Sequence, residues 1–353
     1  MKKGKIFYCI LGQPQYILND YEIFMSTFDV YPFYYKTRGN FFGKLFSVTE
    51  SFLKALIFVP KCDIVYSFFV AYHCFFPVII GKLLGKKVVL SIGGFDAMSI
   101  PSIKYGIFYQ KGLLPVIAKI IYRLADVILP VDKSLISTVN YYADPIGNGY
   151  HTGFLNHVSG ITAKVKELHF GYDHTKYFRD QNIIRENKVL ALSAVDHEED
   201  YYRKGYDLII QVAQKMPNFM FTLAGVQKSF IEKIDPHLPN VTIIGYVPHS
   251  EVLKLYSSHK VFLQPSLAEG QPNTLCEAML CECIPIGSNV NGIPDVIGDS
   301  GFILNKKDVK KLEIFIMQAM SMEENSGKNA RQRIIEHFPL SLREKLLKEY
   351  IES

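Results

Sequence analysis

Two apolar runs, Val261-Phe-Leu-Gln-Pro-Ser266 and Cys283-Ile-Pro-Ile-Gly287, flank a polar loop and a short helical segment at 274–280. Strand, loop, helix, strand is the unit of an open parallel sheet, because parallel neighbours need a crossover of a dozen or more residues. The same alternation runs along the whole chain. Strands are expected at 6–11, 30–34, 64–69, 88–92, 127–130 and 165–169, with helices at 42–58, 72–84, 114–124 and 133–142. A second series follows, with strands at 189–194, 219–224, 241–244, 261–263 and 284–287. Its helices are expected at 206–215, 250–257, 274–280 and 309–321. The fold class is therefore α/β, with two Rossmann-like halves facing a cleft. Polar residues between 171 and 187 mark the boundary, giving domains 1–170 and 171–338 and a C-terminal helical segment 339–353 behind Pro339.

Length supports two cores, since 353 residues exceed what one ordinary core organises. Hydrophobic residues make up 48% and charged residues 21%, as in a globular chain and not a disordered one. Six cysteines at this length form no disulfide framework, and Cys281-Glu-Cys283 has the wrong spacing for a zinc knuckle. Buried thiols in a reducing cytoplasm are expected. Residues 1–170 hold 18 Lys/Arg against 10 Asp/Glu, and the rest hold 21 against 24. This split points the first half at an anionic partner, a membrane surface or a lipid-linked phosphate. Segment 64–81 is uncharged, but it contains Ser67, His73 and Pro77 and reads as a strand and a buried helix. His73 is expected to be a packed core residue. The apolar run at 6–11 is too short for a signal core and reads as a first strand.

The stretch Glu269-Gly-Gln-Pro-Asn-Thr-Leu-Cys-Glu277 lies beyond the carboxyl end of its strand, where open α/β sheets bind ligands. Asn273 is a suitable N-cap, so Thr274, Leu275 and Cys276 would open a helix whose amides and dipole suit a phosphate. Glu277 can accept two ribose hydroxyl hydrogens, and Glu269 can face a second polyol. The plain alternative is a pair of carboxylates serving a helix start. Phosphate donors between two hydroxyl-reading carboxylates describe a nucleotide-sugar site.

Pro265-Ser266, Glu269-Gly270, Pro272, Glu277-Ala278-Met279 and Pro285 resemble the signature of the retaining glycosyltransferases of family four, which have the GT-B fold. His169-Phe-Gly-Tyr-Asp173, Lys204-Gly-Tyr-Asp-Leu-Ile-Ile210, Leu223-Ala-Gly225, Val241-Thr-Ile-Ile-Gly245 and Val290-Asn-Gly-Ile-Pro294 are similar to further pieces of that family, in the same order. The resemblance spans about residues 169–305. It implies that Glu269 contacts the donor sugar, Glu277 the ribose and Lys204 the diphosphate. Gly270 and the amides of Asn273, Thr274 and Leu275 would complete the cradle, with Tyr246 and Val247 near the base. It further implies an acceptor-binding first domain and a last helix, 341–352, crossing back to it. A fixed cation stabilises the growing charge of a leaving diphosphate more in the transition state than in the ground state.

Relatives usually carry Gly-Arg after the first strand of the second domain, where this chain has Ser193-Ala194. Arg203 can substitute from the loop. In the first domain, Ser91-Ile-Gly-Gly-Phe-Asp96 is expected to reach the acceptor, with Asp96 orienting a hydroxyl and Gly93 and Gly94 letting backbone approach; Asp96 capping the next helix is the alternative. The loop Gly12-Gln-Pro-Gln-Tyr16 replaces the Gly-rich turn of the family. Asp196-His-Glu-Glu-Asp200 reads as a solvated loop, not a metal site. The expected activity is metal-independent and cofactor-free sugar transfer from a nucleoside diphosphate sugar to a glycan or lipid-linked acceptor. No nucleic acid is involved, and the chain is expected in the cytoplasm with peripheral contact to an anionic membrane. The alternatives are a nucleotide-sugar epimerase on the same fold and a non-catalytic binding subunit.

Overall fold

The computed structural model describes residues 4–12, 14–36, 39, 41–144, 146–234 and 237–352. The chain forms two units, one of residues 1–138, 151–171 and 341–353, the other of 139–150 and 172–340. The excursion 139–150 was not anticipated from sequence.

In the first unit the strands are β1 (Lys5–Leu11), β2 (Asp29–Tyr35), β3 (Ile64–Phe68), β4 (Lys87–Ile92) and β5 (Val127–Pro130). β6 (Thr138–Asn140) and β7 (Tyr150–Thr152), at the two ends of the 139–150 excursion, pair with each other, and β8 (Lys164–Val165) returns to the first unit's main sheet. That sheet has the order β2-β1-β3-β4-β5-β8 and is parallel throughout. Every residue of β3 and β5 is buried, which explains why these strands read as unbroken apolar runs without alternation. Four helices cover the sheet: α1 (Gln15–Thr27), α2 (Phe41–Phe58), α3 (Tyr72–Leu83) and α4 (Leu113–Leu124). His73 is indeed packed in the core, with Nε2 3.1 Å from both Ser67 Oγ and the Phe68 carbonyl oxygen.

In the second unit the strands are β9 (Glu186–Val195), β10 (Met220–Val226), β11 (Val241–Ile244), β12 (His259–Gln264), β13 (Ile284–Ser288) and β14 (Phe302–Leu304). Their order, β11-β10-β9-β12-β13-β14, is again parallel throughout. Chain direction across the sheet reverses between β9 and β12, the kind of position at which open α/β sheets bind ligands. The helices are α5 (Glu198–Arg203), α6 (Tyr206–Lys215), α7 (Lys228–Ile234), α8 (His249–Ser258), α9 (Asn273–Leu280), α10 (Ile293–Ile297), α11 (Val309–Ser321) and α12 (Gly327–His337). After Pro339, α13 (Leu340–Glu352) contributes residues 341–352 to the first unit. There Arg343 lies buried and grips both oxygens of Asp20 at 2.7 Å, while Tyr66 donates to the same carboxylate at 2.7 Å.

Several expectations are corrected. The helix expected at 133–142 is a single 3-10 turn, Lys133–Leu135, followed by β6. Thr138 and Val139 are β-branched and favour the strand. The strand expected at 165–169 is only β8. The acidic stretch 196–200 is not wholly a loop, since Glu198, Glu199 and Asp200 form the first turn of α5, where carboxylates complement the helix dipole.

Candidate functional site

Lys204 and Glu269 reach each other because two loops at the β9/β12 reversal are clamped together. Gly205 has φ +72°, and a Cβ there would stand 2.4 Å from the Pro265 carbonyl oxygen, so this approach requires glycine. The Leu267 N–H donates to the Arg203 carbonyl at 2.7 Å. With the backbones fixed, Lys204 Nζ lies 2.5 Å from Glu269 Oε1, in an ion pair whose side chains are 14% and 11% exposed. Gln264 Nε2 and Ser266 Oγ donate to the same oxygen at 2.9 and 3.0 Å. All these bonds fall on Oε1, leaving Oε2 with no hydrogen-bond partner among the described residues. Burial pushes the Glu269 carboxyl up, but the Lys204 and Arg203 charges and these hydrogen bonds outweigh it and hold Glu269 below the usual carboxylate range. Burial draws Lys204 below the ordinary lysine value against the opposing pull of Glu269.

The loop after Glu269 is tied from the far side. Asn291 Oδ1 accepts from the Glu269 N–H at 3.3 Å, and the Gly292 N–H donates to the Gly270 carbonyl at 3.0 Å. α9 then begins at Asn273, not after it. Pro272 holds the cap position, and no side chain caps the helix. The expected Asn273 cap is therefore corrected: its Oδ1 accepts the Tyr172 hydroxyl at 2.8 Å instead. The consequence favours a ligand, because the amides of Asn273, Thr274 and Leu275 have no intrahelical acceptor and no competing side-chain cap. Thr274 is half-buried with its hydroxyl 3.4 Å from Gln264 Oε1, and Leu275 is fully buried, so it offers only its backbone.

Glu277 lies one turn further along α9. Tyr256 donates to its Oε2 at 3.0 Å, and Tyr177 supplies a second side-chain hydrogen bond. Burial pushes this carboxyl up to about 7, the two hydroxyls offsetting only part of the effect. The motif thus holds one carboxylate ionised by a buried lysine and another poised near neutrality.

Arg203 pairs with Asp200 at 2.7 Å yet still acts electrostatically on both Glu269 and Lys204. Ala194 is exposed near the end of β9. Beyond α5 a cavity of about 840 Å³ is lined by Asp196, Tyr201, Gln227, Phe230 and Lys233 among others. Tyr246 is 86% exposed on the loop after β11, and Val247 is half-buried beside it.

The remaining candidates belong to the first unit. Gly12 follows β1 with φ +75°, and Gln13 lies outside the described residues. Gly93 sits where a Cβ would meet the Phe69 ring at 2.2 Å. The expectation that Asp96 meets an acceptor hydroxyl is corrected by burial. It is 1% exposed, and its carboxylate accepts the N–H groups of Val70, Gly93 and Gly94 at 3.2, 3.1 and 2.9 Å. It braces the glycine turn, and burial raises its carboxyl to about 6. Among the described residues one group has metal-ligating atom types within 4.8 Å, Asp132, Glu167 and His169. Its carboxylates already accept from Ser134 N–H at 2.8 Å and Lys133 N–H at 2.6 Å.

Sequence reasoning missed Gln264, Tyr177 and Tyr256 as partners of the two carboxylates. Gln264 did carry a signal, as a polar side chain ending an otherwise apolar strand. The tyrosines carried none, since they arrive from distant segments.

Residues 176–338 match the sequence model of the glycosyl transferases group 1 family. O-antigen chain mannosyltransferase B of Escherichia coli is 34% identical over 80 residues, which are 23% of this chain and 21% of that protein. The capsular polysaccharide biosynthesis glycosyltransferase CapM of Staphylococcus aureus is 36% identical over 106 residues, 28% of this chain and 27% of that protein. The phosphatidylinositol N-acetylglucosaminyltransferase gpi3 subunit of Schizosaccharomyces pombe is 30% identical over 106 residues, 28% of this chain and 23% of that protein. The chain thus spans less than a third of the length of these curated relatives. Among solved structures, sucrose-phosphate synthase from Thermosynechococcus elongatus superposes with a TM-score of 0.74 at 14% identity, over 99% of this chain and 98% of that one. Anabaena HepE in complex with UDP and glucose gives 0.69 at 14% identity over 99% of both chains. Residues 176–338, a little under half of the chain, thus match the glycosyl transferases group 1 family, and the fold of the whole chain is the GT-B fold.

Proposed function

We propose that this chain is a retaining glycosyltransferase of family four. It moves a sugar from a nucleoside diphosphate sugar to a hydroxyl of a glycan or glycolipid acceptor, in the synthesis of cell-surface polysaccharide or glycoconjugate. The observation that carries this reading is the arrangement at the β9/β12 reversal. An uncapped helix start lies between Glu269, paired with Lys204, and Glu277, held by two tyrosines.

In this reading the open Oε2 of Glu269 accepts from a donor-sugar hydroxyl, and Glu277 accepts from the ribose. The diphosphate meets Lys204 and the amides of Asn273, Thr274 and Leu275, with Gly270 lining the turn. Arg203 adds positive charge that Ala194 does not supply. Tyr246 and Val247 border the base. As the bond from the anomeric carbon to the diphosphate breaks, the acceptor oxygen bonds to the same face of that carbon. The acceptor proton passes to the departing phosphate oxygen. No metal or cofactor is required, since these cationic groups and the helix dipole offset the growing charge. In the first unit Gly12, Gly93 and Gly94 shape the acceptor side, and Asp96 acts through the turn it braces. The activities of the similar mannosyltransferase and N-acetylglucosaminyltransferase, and the glucose held by the HepE structure, make mannose, N-acetylglucosamine and glucose the first sugars to test. The reading places the chain in the cytoplasm at the inner face of a membrane.

A thermal-shift panel of UDP-, GDP- and ADP-sugars identifies the donor, because binding raises apparent stability by mass action. Turnover of that donor should persist in EDTA and yield a product with the donor's anomeric configuration. Release of free epimerised sugar nucleotide would establish the epimerase instead. Turnover abolished by EDTA and restored by Mg²⁺ would remove metal independence and direct attention to Asp132, Glu167 and His169. A protein that shifts with no donor and hydrolyses none would sink the reading.

A further inference from the structure

Helix α2 is packed the wrong way round for a water-facing helix. Its buried line is Ser47, Ser51 and Ala55, spaced four residues apart and at most 2% exposed. The opposite face carries Phe42, Leu45, Phe46, Leu53, Leu56 and Ile57, each between 47% and 78% exposed. Large side chains point outward, and small ones let the helix approach the protein closely. The serine hydroxyls inside are satisfied locally: Ser47 donates to the Lys36 carbonyl at 2.7 Å, and Ser51 to the His73 carbonyl at 3.3 Å. The outer stripe has one polar member, Thr49, and its hydroxyl is turned back onto the Leu45 carbonyl at 3.0 Å. At roughly 200 Å² for a fully exposed large apolar side chain, six such residues leave an apolar patch on the order of 600 Å². That reaches the upper end of what a soluble monomer exposes and marks an interaction surface.

Charge selects the occupant. The sequence from Lys36 to Lys61 holds five basic residues, Lys36, Arg38, Lys44, Lys54 and Lys61, and one acid, Glu50. That acid is paired with Lys54 at 2.9 Å. A single convex helix offers less than the roughly 800 Å² per partner that a stable homodimer buries. Basic residues flanking an apolar helical stripe fit the headgroup region of an anionic bilayer. No helix among the described residues is long and apolar enough to cross a membrane. We infer that the outer face of α2 docks this protein onto anionic phospholipid, with its aromatic and leucine side chains seated in the interface and the basic excess of the 36–61 segment drawing that face to the headgroups. This names the surface for the membrane contact proposed above, and it stands or falls separately from sugar transfer, because binding is read without donor or acceptor.

The test is flotation of the full chain with vesicles of phosphatidylcholine alone or with about one third phosphatidylglycerol. The surface potential of the second and the apolar insertion act together. Binding should require phosphatidylglycerol, weaken in 0.5 M NaCl without vanishing, and fall at least tenfold in Phe46→Asp/Leu53→Asp. Both sites are exposed, so circular dichroism should match the parent. A second measurement does not depend on that variant. All six native cysteines are buried, so Phe46→Cys can be labelled selectively with an environment-sensitive dye. Its emission should shift blue on anionic vesicles, while the dye on Lys310→Cys, exposed on α11, should not move. Absence of flotation with either vesicle, or a Phe46 dye indifferent to lipid, overturns the inference. So does a wild-type dimer in sedimentation that Phe46→Asp/Leu53→Asp splits, because the face would then serve a second copy.

Discussion

Lys204→Ala tests the electrostatic core of the site, and its cost follows from the geometry. The substitution strips the nearest counter-charge from Glu269, whose side chain is 11% exposed. Removing one partner of a buried pair costs about 3–5 kcal/mol. Gln264 and Ser266 still donate to the orphaned oxygen, and Arg203 remains close enough to act on it, so the loss should be nearer about 2–4 kcal/mol. Its pH dependence carries a definite sign. In the parent, Glu269 titrates below its ordinary value. Its contribution is therefore complete above the unfolded carboxylate range and lost as pH falls through the folded value. In the variant, burial dominates and pushes the carboxyl up. The folded state then holds a proton that the unfolded chain releases, so the deficit should be largest at pH 8 and shrink towards pH 5. Urea unfolding followed by circular dichroism at both pH values measures this, with the transitions of the two units fitted separately. Lys204→Met/Glu269→Gln should recover most of the loss. The kcat of Lys204→Ala should fall roughly 10²–10³-fold, since the lysine meets charge that grows in the transition state. A deficit under about 0.5 kcal/mol at pH 8, or one identical at both pH values, would refute the reasoning.

Glu277→Gln should weaken nucleoside diphosphate binding by about 1.5–3 kcal/mol, as charge-assisted hydrogen bonds become neutral ones. With the parent carboxyl pushed up to about 7, parental affinity should rise through that pH while the variant stays flat; calorimetric titration at pH 6 and 8 decides it. Arg343→Met leaves Asp20 buried without its counter-charge and should lower the stability of the first unit by about 3–5 kcal/mol. Arg343→Met/Asp20→Asn should restore much of this, and equal unfolding midpoints for parent and single variant would contradict it.

Most strands and most helices were legible in the sequence because buried parallel strands and half-buried helices write their environment into apolar spacing, whereas the short strands β6, β7 and β14 were not. What failed to show has identifiable causes. Helix α1 was missed because its inward line, Ile17, Asp20 and Phe24, is broken by an acid. That acid is buried only because Arg343 arrives from 323 residues away. Helix α2 was recognised by composition, but periodicity does not say which stripe faces the protein. The two motif carboxylates and Lys204 were legible by resemblance, whereas their mutual pairing depends on the Gly205–Pro265 approach. Asn273 looked like a cap because its residue type favours that position, but Pro272, fixed in φ, starts the helix one residue earlier. The side chain of Asn273 was then free to take Tyr172.

The Arg343–Asp20 clasp also sets an order of events during synthesis. Asp20, Tyr66 and the carbonyls of Leu168 and His169 that Arg343 reaches are all made before residue 171. Arg343 follows only after the intervening unit has been translated. At about 5–20 residues per second, that delay is on the order of 10–35 s. For this interval the nascent first unit carries a carboxylate in its interior with no cation to meet it. Its α1 therefore docks loosely until the last helix emerges. The second unit faces no such wait, so on the ribosome the half made later is the first to become complete.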